Sequence, residues 1–325
     1  MADKLGKWRR LQQCAASSGC FSVLAIDHRG PLRRALESSV EMMDGNSAAM
    51  EQTVVTVKRD IVGELAPLAS AVLLDPETGL GPCMTGSNLP GSTGLLTALD
   101  SGSTGDPRTR AAGLVDHWSV GKAARIGASG VKLLLYYHPE ASDAAQQEDL
   151  IQTVGLECVR CEIPFFLEPL AKAPDGSPLP GDKRRELVIE MARRLVPLGV
   201  DVLKTEFPLC VEHKPAEAAW REACEELSAI CSVPWALLSA GISFELFLRQ
   251  VEVACESGAS GVMVGRSVWD GAATADANAR RRFLRKTGRD RMLQLRELCN
   301  ARARPFTKVL PPPMPRENWH ETYPA

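Results

Sequence analysis

A single-domain α/β fold, the TIM (β/α)8 barrel, is what this sequence predicts, and three observations predict it. Eight short, near-continuously apolar runs recur along the chain, as strands buried on both faces of a parallel sheet require. Their C-terminal ends lie roughly 25–50 residues apart, which leaves room for one helix in each connection. No second core interrupts the alternation over ~250 residues, the usual length of such a barrel. An open doubly wound sheet fits less well, because the first run is followed by DHRGPL and contains no G-x-G-x-x-G.

Residues 1–20 are expected to cap the barrel bottom with a short helix, Trp8 facing the core. The barrel is assigned to residues 21–270. Its expected strands are SVLAID (22–27), AVLLD (71–75), LLTAL (95–99), VKLLLYY (131–137), PFFLE (164–168), DVLKTE (201–206), WALLS (235–239) and GVMVG (261–265). Between them, 47–68 has apolar residues at helical spacing, a serine at its start and Pro67 near its end. Segment 116–130 reads as a helix closing in glycines, and 186–199, 217–231 and 243–258 repeat the helical spacing. Residues 271–325 are expected to form a basic amphipathic helix and then a Pro-rich tail. Trp319 and Tyr323 favour a draped tail, since disordered segments are poor in aromatics.

Composition narrows the function. With 45% hydrophobic and 24% charged residues, the 325-residue chain reads as a soluble globular protein. A net charge of −2 gives no electrostatic footprint for nucleic acid or an anionic membrane. The run Arg280-Arg281-Arg282, interrupted by Phe283 and Leu284, reads as the solvated face of a helix. No window reaches the ~20 apolar residues of a membrane span, and the first residues lack an apolar signal core. Ten scattered cysteines without a dense framework point to reduced thiols and a cytoplasmic setting. Cys158 and Cys161 form the only C-x-x-C, and the five histidines show no ligand spacing. Neither a metal nor a cofactor is therefore expected.

In a TIM barrel the active site lies at the C-terminal ends of the strands. Here those ends supply Asp27-His28-Arg29, Asp75, Lys132, Tyr136-Tyr137, Glu168, Lys204 with Glu206, Ser239, and Gly265-Arg266. Lys204 sits in an apolar run, where a partly desolvated amine becomes a competent nucleophile toward a ketone. It could equally snorkel to the rim or pair with Glu206, and Lys132, in its own apolar strand, could be the nucleophile instead. Glu168, between apolar walls and before Pro169, is suited to shuttle a proton. Asp27 could orient a lysine or serve as a second carboxylate, whereas Asp75-Pro-Glu-Thr-Gly is also a good turn. After strands 7 and 8, Ser239-Ala240-Gly241 and Gly265-Arg266 offer backbone N–H groups and a guanidinium to a phosphate. Arg29 and Lys132 could hold a second anion.

Taken in order, LAIDHRGPLRRAL, LLDPETGL, VKLLLYYHP, PFFLEPL, DVLKTEFP, LLSAGISFELF and GVMVGRSVW resemble the class I tagatose 1,6-bisphosphate aldolases and their relatives that cleave a sulfofructose phosphate. The resemblance covers residues 20–270. It implies a TIM barrel and metal-independent cleavage of a ketose bisphosphate through a Schiff base, giving dihydroxyacetone phosphate and glyceraldehyde 3-phosphate. It further implies that Lys204 forms the imine, that Glu168 is the acid/base, and that Lys132, Ser239, Gly241, Gly265 and Arg266 contact the ligand. Asp27 completes the catalytic set, with His28 and Arg29 beside the substrate. The family usually reads Asp-Gln-Arg-Gly where this chain has Asp27-His28-Arg29-Gly30, so His28 is expected to alter the distal specificity and make binding pH-sensitive. The partner is a small-molecule sugar phosphate, and a homo-oligomer is compatible with the C-terminal helix and tail. The competing expectations are a sulfofructose-1-phosphate aldolase and a non-catalytic sugar-phosphate-binding barrel.

Overall fold

The computed structural model describes residues 5–37, 47–86, 89–101, 112–211, 216–315, 317–321 and 323, so the outermost ends of both terminal segments lie outside the described residues. In chain order the elements are α1 (Leu5–Cys14), β1 (Phe21–Ala25), α2 (Gly30–Glu37), α3 (Ser47–Leu65), β2 (Ala71–Leu74), α4 (Gly81–Thr85) and β3 (Gly94–Ala98). Next come α5 (Val120–Arg125), β4 (Gly130–Tyr137), α6 (Ala144–Arg160), β5 (Phe165–Ala171), α7 (Arg184–Leu195), β6 (Val202–Thr205) and α8 (Glu217–Ile230). The chain continues through β7 (Trp235–Leu238), α9 (Phe244–Glu256), β8 (Gly261–Val264), α10 (Arg266–Trp269), α11 (Ala277–Phe283) and α12 (Arg289–Arg302). All eight strands pair in parallel and close on themselves, Phe21 of β1 standing opposite Gly261 of β8. This is the TIM barrel that the apolar runs predict.

The period of two along each strand divides the core into two layers. One parity, Val23, Ala25, Ala71, Leu73, Leu96, Phe166, Val202, Ala236 and Met263, fills the barrel interior. The other parity, including Leu24, Val72, Leu133, Leu167, Leu203, Leu237 and Val262, packs outward against the helices. Both layers are dry, which explains why the strands read as unbroken apolar runs. Beyond the last apolar rung, the inward parity falls on Asp27, Asp100, Lys132, Glu168 and Lys204.

Aromatic rings close the opposite end. Phe306 stacks on Phe21 at 5.8 Å, Trp8 of α1 lies 5.1 Å from Phe306, and Phe166 meets Phe21 edge-on at 6.1 Å. Tyr323 donates its hydroxyl to the Glu162 carboxylate, which also accepts the Gly6 N–H at 3.1 Å. Helix α12, joined to α11 by a π-helical turn, packs on α9 and α3 and buries Met292, Leu295 and Cys299 in the outer core.

Several helices differ from the sequence reading, α2 and α4 having no counterpart in it. The helix expected over 116–130 is confined to α5, because His117 (φ 59°) and Gly127 (φ 87°) are left-handed on either side of it. Helix α6 has no counterpart in that reading. Its buried stripe, Ile151, Val154 and Cys158, is blurred by the exposed Leu156 and Val159.

Candidate active site

Strand register brings the charges together. Lys132 stands opposite Ala98 and Phe166, and Leu134 opposite Glu168. Leu203 pairs with Leu167, so the next residue, Lys204, comes level with Glu168. The Lys204 ammonium lies 2.7 Å from Glu168 Oε2. Lys132 Nζ lies 2.7 Å from Asp27 Oδ2, 3.0 Å from Asp100 Oδ1 and 3.2 Å from Glu168 Oε2. Lys132, Lys204 and Glu168 are 1%, 3% and 5% exposed. Burying so many charges is tolerable only because each is paired, and the loss of one partner would strand another in a low-dielectric interior.

Burial and compensation set the protonation states. Burial opposes the charge on Lys132, but the carboxylates of Asp100, Asp27 and Glu168 overcome it and hold the ammonium well above its ordinary range. For Asp27, burial works upward, and Lys132, Lys204 and His28 together pull it below the ordinary carboxylate range. His28 is pushed down to about 3, chiefly by burial. Asp27 opposes that shift, while Lys204, Arg266 and Lys132 add to it.

A cavity of about 310 Å³ opens above this cluster, and Lys204 and Glu168 line it. Its β7–β8 side is formed by Ser239, Gly241, Gly265, Arg266 and His28, and the facing side by Leu134, Tyr136, Leu170 and Glu206. The two glycines are sterically required. Gly241 is left-handed (φ 76°), and a Cβ there would sit 2.7 Å from the Arg266 guanidinium carbon. A Cβ on Gly265 would lie 2.7 Å from His28 Cε1. His28 also meets the Trp269 ring edge-on at 5.2 Å, and Trp269 is pinned by donating Nε1–H to Ala25 O at 2.9 Å. Ser243 caps α9, accepting the Leu246 N–H at 3.3 Å, so that helix begins beside the Ser239–Gly241 loop.

The structure thus gathers Asp27, His28, Lys132, Glu168, Lys204, Ser239, Gly241, Gly265 and Arg266 at one mouth. His28 lines the cavity beside Gly265 and Arg266, at the position where the resemblance to the family's Asp-Gln-Arg-Gly placed a distal contact. Its low proton affinity also removes the expected pH sensitivity near neutrality. Arg29 does not line the cavity. Its guanidinium turns to Glu77 and to Asp100, whose Oδ2 is 3.3 Å away. Lys132 is absent from the cavity lining, and its Nζ donates to Asp100 Oδ1 while lying close to the Asp27 and Glu168 carboxylates. Asp75 is fully buried, paired with Lys58, and accepts the Thr78 N–H at 2.8 Å as the cap of the following turn. The sequence reading missed Asp100, although an acid directly after an apolar run is the same signal that marks Asp27 and Asp75. It also left Glu206 as a possible partner of Lys204. The carboxylate instead accepts from Arg184 and the Ala171 N–H, at 2.7 and 2.8 Å.

Fold and site together define a TIM barrel whose strand ends carry a buried lysine–carboxylate centre. Residues 21–271 match the family model described as DeoC/LacD family aldolase, and the chain belongs to that family. It is 34% identical to the tagatose 1,6-diphosphate aldolase of Lactococcus lactis, over 93% of this chain and 97% of that protein. It is 33% identical to the tagatose 1,6-diphosphate aldolase of Streptococcus pneumoniae, over 90% and 95%. Among solved structures, an archaeal fructose 1,6-bisphosphate aldolase shares the fold with a TM-score of 0.60 at 20% identity, covering 91% of this chain and 99% of that one. No helix among the described residues is long and apolar enough to cross a membrane.

Proposed function

We infer that this protein is a class I aldolase, an aldehyde-lyase that works through a Schiff base on Lys204. The substrate is a ketose 1,6-bisphosphate of the tagatose type, and the products are dihydroxyacetone phosphate and glyceraldehyde 3-phosphate. The observation that carries this reading is the 2.7 Å contact between Lys204 Nζ and Glu168 Oε2 at the cavity wall. An ammonium cannot attack a carbonyl, and a carboxylate at that distance is placed to take its proton. The named relatives support the substrate class.

Neutral Lys204 attacks the ketone carbon, and Glu168 delivers a proton to the departing hydroxyl as water leaves the carbinolamine. The resulting iminium accepts the electron pair of the C3–C4 bond while a base, either the Glu168 carboxylate or a substrate phosphate, takes the C4 hydroxyl proton. The aldehyde departs, and protonation and hydrolysis of the enamine release dihydroxyacetone phosphate. Lys132 steadies the negative charge on Glu168, and Asp27 holds Lys132. The C1 phosphate is assigned to Arg266 with the Gly241 and Gly265 backbone, where the absent Cβ atoms let the Arg266 guanidinium and the His28 ring pack close against the main chain. A coupled cleavage assay with tagatose 1,6-bisphosphate tests this. Wild type turns over, and Lys204→Met loses at least about 10³-fold in kcat, because without the amine there is no covalent route. Retained activity in Lys204→Met would refute the assignment.

A further inference from the structure

Asp100 comes from β3, the one strand whose end supplied no expected site residue, yet it has more fixed contacts than any other acid in the cluster. Its Oδ1 accepts from Lys132 Nζ and from the Leu134 N–H, both at 3.0 Å. Its Oδ2 accepts from Arg29 Nη2 at 3.3 Å, and the same nitrogen donates to its backbone carbonyl. The backbone is held as well, since Asp100 bridges Leu114 and the preceding Leu99 N–H donates to Lys132 O at 2.7 Å. A carboxylate restrained on so many sides is an immobile negative charge.

Building on the proposed Schiff-base reading, we propose that Asp100, clamped by Arg29, is a positioning residue. It holds the Lys132 ammonium against Glu168 and so sets the pH at which the Lys204–Glu168 pair sheds the proton that blocks attack. Lys132 is the lever. Its Nζ lies within 3.2 Å of three carboxylates, and together they hold its charge against burial. Among the described residues, the other charges near the pair include Asp27, His28 and Arg29 after β1, Glu77 facing Arg29, Glu206 after β6 with its partner Arg184, and Arg266 after β8. The fully buried Lys58–Asp75 pair lies behind β2, and β7 supplies only the neutral Ser239. Of these, Asp100 and Arg29 can be altered without touching the cavity lining.

The two substitutions have opposite signs. Asp100→Asn removes a negative charge, which leaves the ammonium less compensated and favours the deprotonated pair. The acidic limb of the kcat/KM–pH profile then moves down by about one pH unit. Arg29→Gln removes a positive charge, so its limb moves up. Both variants lower kcat more than they raise KM, and Asp100→Glu restores the wild-type limb. The measurement is the kcat/KM profile for ketose bisphosphate cleavage between pH 5 and 9, with thermal melting as the check on folding. If Asp100→Asn does not fold, Arg29→Gln carries the test alone, because it leaves Asp100 in place. Limbs that stay fixed, or that move in the same direction, overturn the proposal. A wild-type enzyme that cleaves no sugar phosphate overturns the Schiff-base reading itself, and this inference with it.

Discussion

At the residue scale, His28 shows how a neighbourhood overrides a residue type. A free histidine titrates near neutrality, and from sequence alone one at a ligand-facing strand end is expected to act as a pH switch. Here, burial and the cations Lys204, Arg266 and Lys132 drive its proton affinity down to about 3, with Asp27 opposing. The imidazole is therefore neutral throughout the physiological range and recognises a ligand only as a hydrogen-bonding group. The folded state binds this proton more weakly than the unfolded chain does. The contribution to stability is thus complete above about 6.5 and is lost as pH falls toward about 3. In proton NMR, the His28 ring resonance should show no titration between about pH 5 and 8, whereas a midpoint near 6.5 would contradict this account.

At the element scale, the two ends of the barrel are built by different means. The mouth is a set of strand-end charges, and the bottom is a ring of aromatics supplied partly by segments that flank the barrel. Phe306, 1% exposed, is wedged between Trp8 and Phe21 at the opposite end from Lys204. Phe306→Ala should destabilise the fold by about 3 kcal/mol, through lost burial and the cavity left behind. Urea denaturation would record that loss, with kcat for cleavage unchanged. A fall in kcat without a fall in stability would mean that the bottom plug communicates with the site. The capping helix with Trp8 was expected from the sequence, but Phe306 was not legible, because it lies in a Pro-rich stretch without periodicity. Strands were legible because burial on both faces removes polar residues from them. Asp100 falls just past the apolar run LLTAL and carries the same signal as Asp27 and Asp75, but only its contacts distinguish its role from that of the turn acid Asp75.

On the scale of the whole molecule, the organising fact is that one parity of most strands converges on the mouth. The barrel's period of two converts residues scattered from Asp27 to Lys204 into a cluster spanned by contacts of 2.7–3.2 Å. Together with the family resemblance, that convergence made Lys204 and Glu168 legible as candidates in advance. The pairing pattern was not, because the sequence does not say that Lys132 is spent on carboxylates or that Arg29 turns away from the cavity. The central claim is that Lys204 is the amine that bonds to substrate. Incubation with dihydroxyacetone phosphate followed by borohydride reduction and peptide mass spectrometry tests it directly. The account predicts a single stable adduct on the peptide containing Lys204, and none in Lys204→Met. An adduct on Lys132, or no adduct from an enzyme that cleaves its substrate, would contradict it.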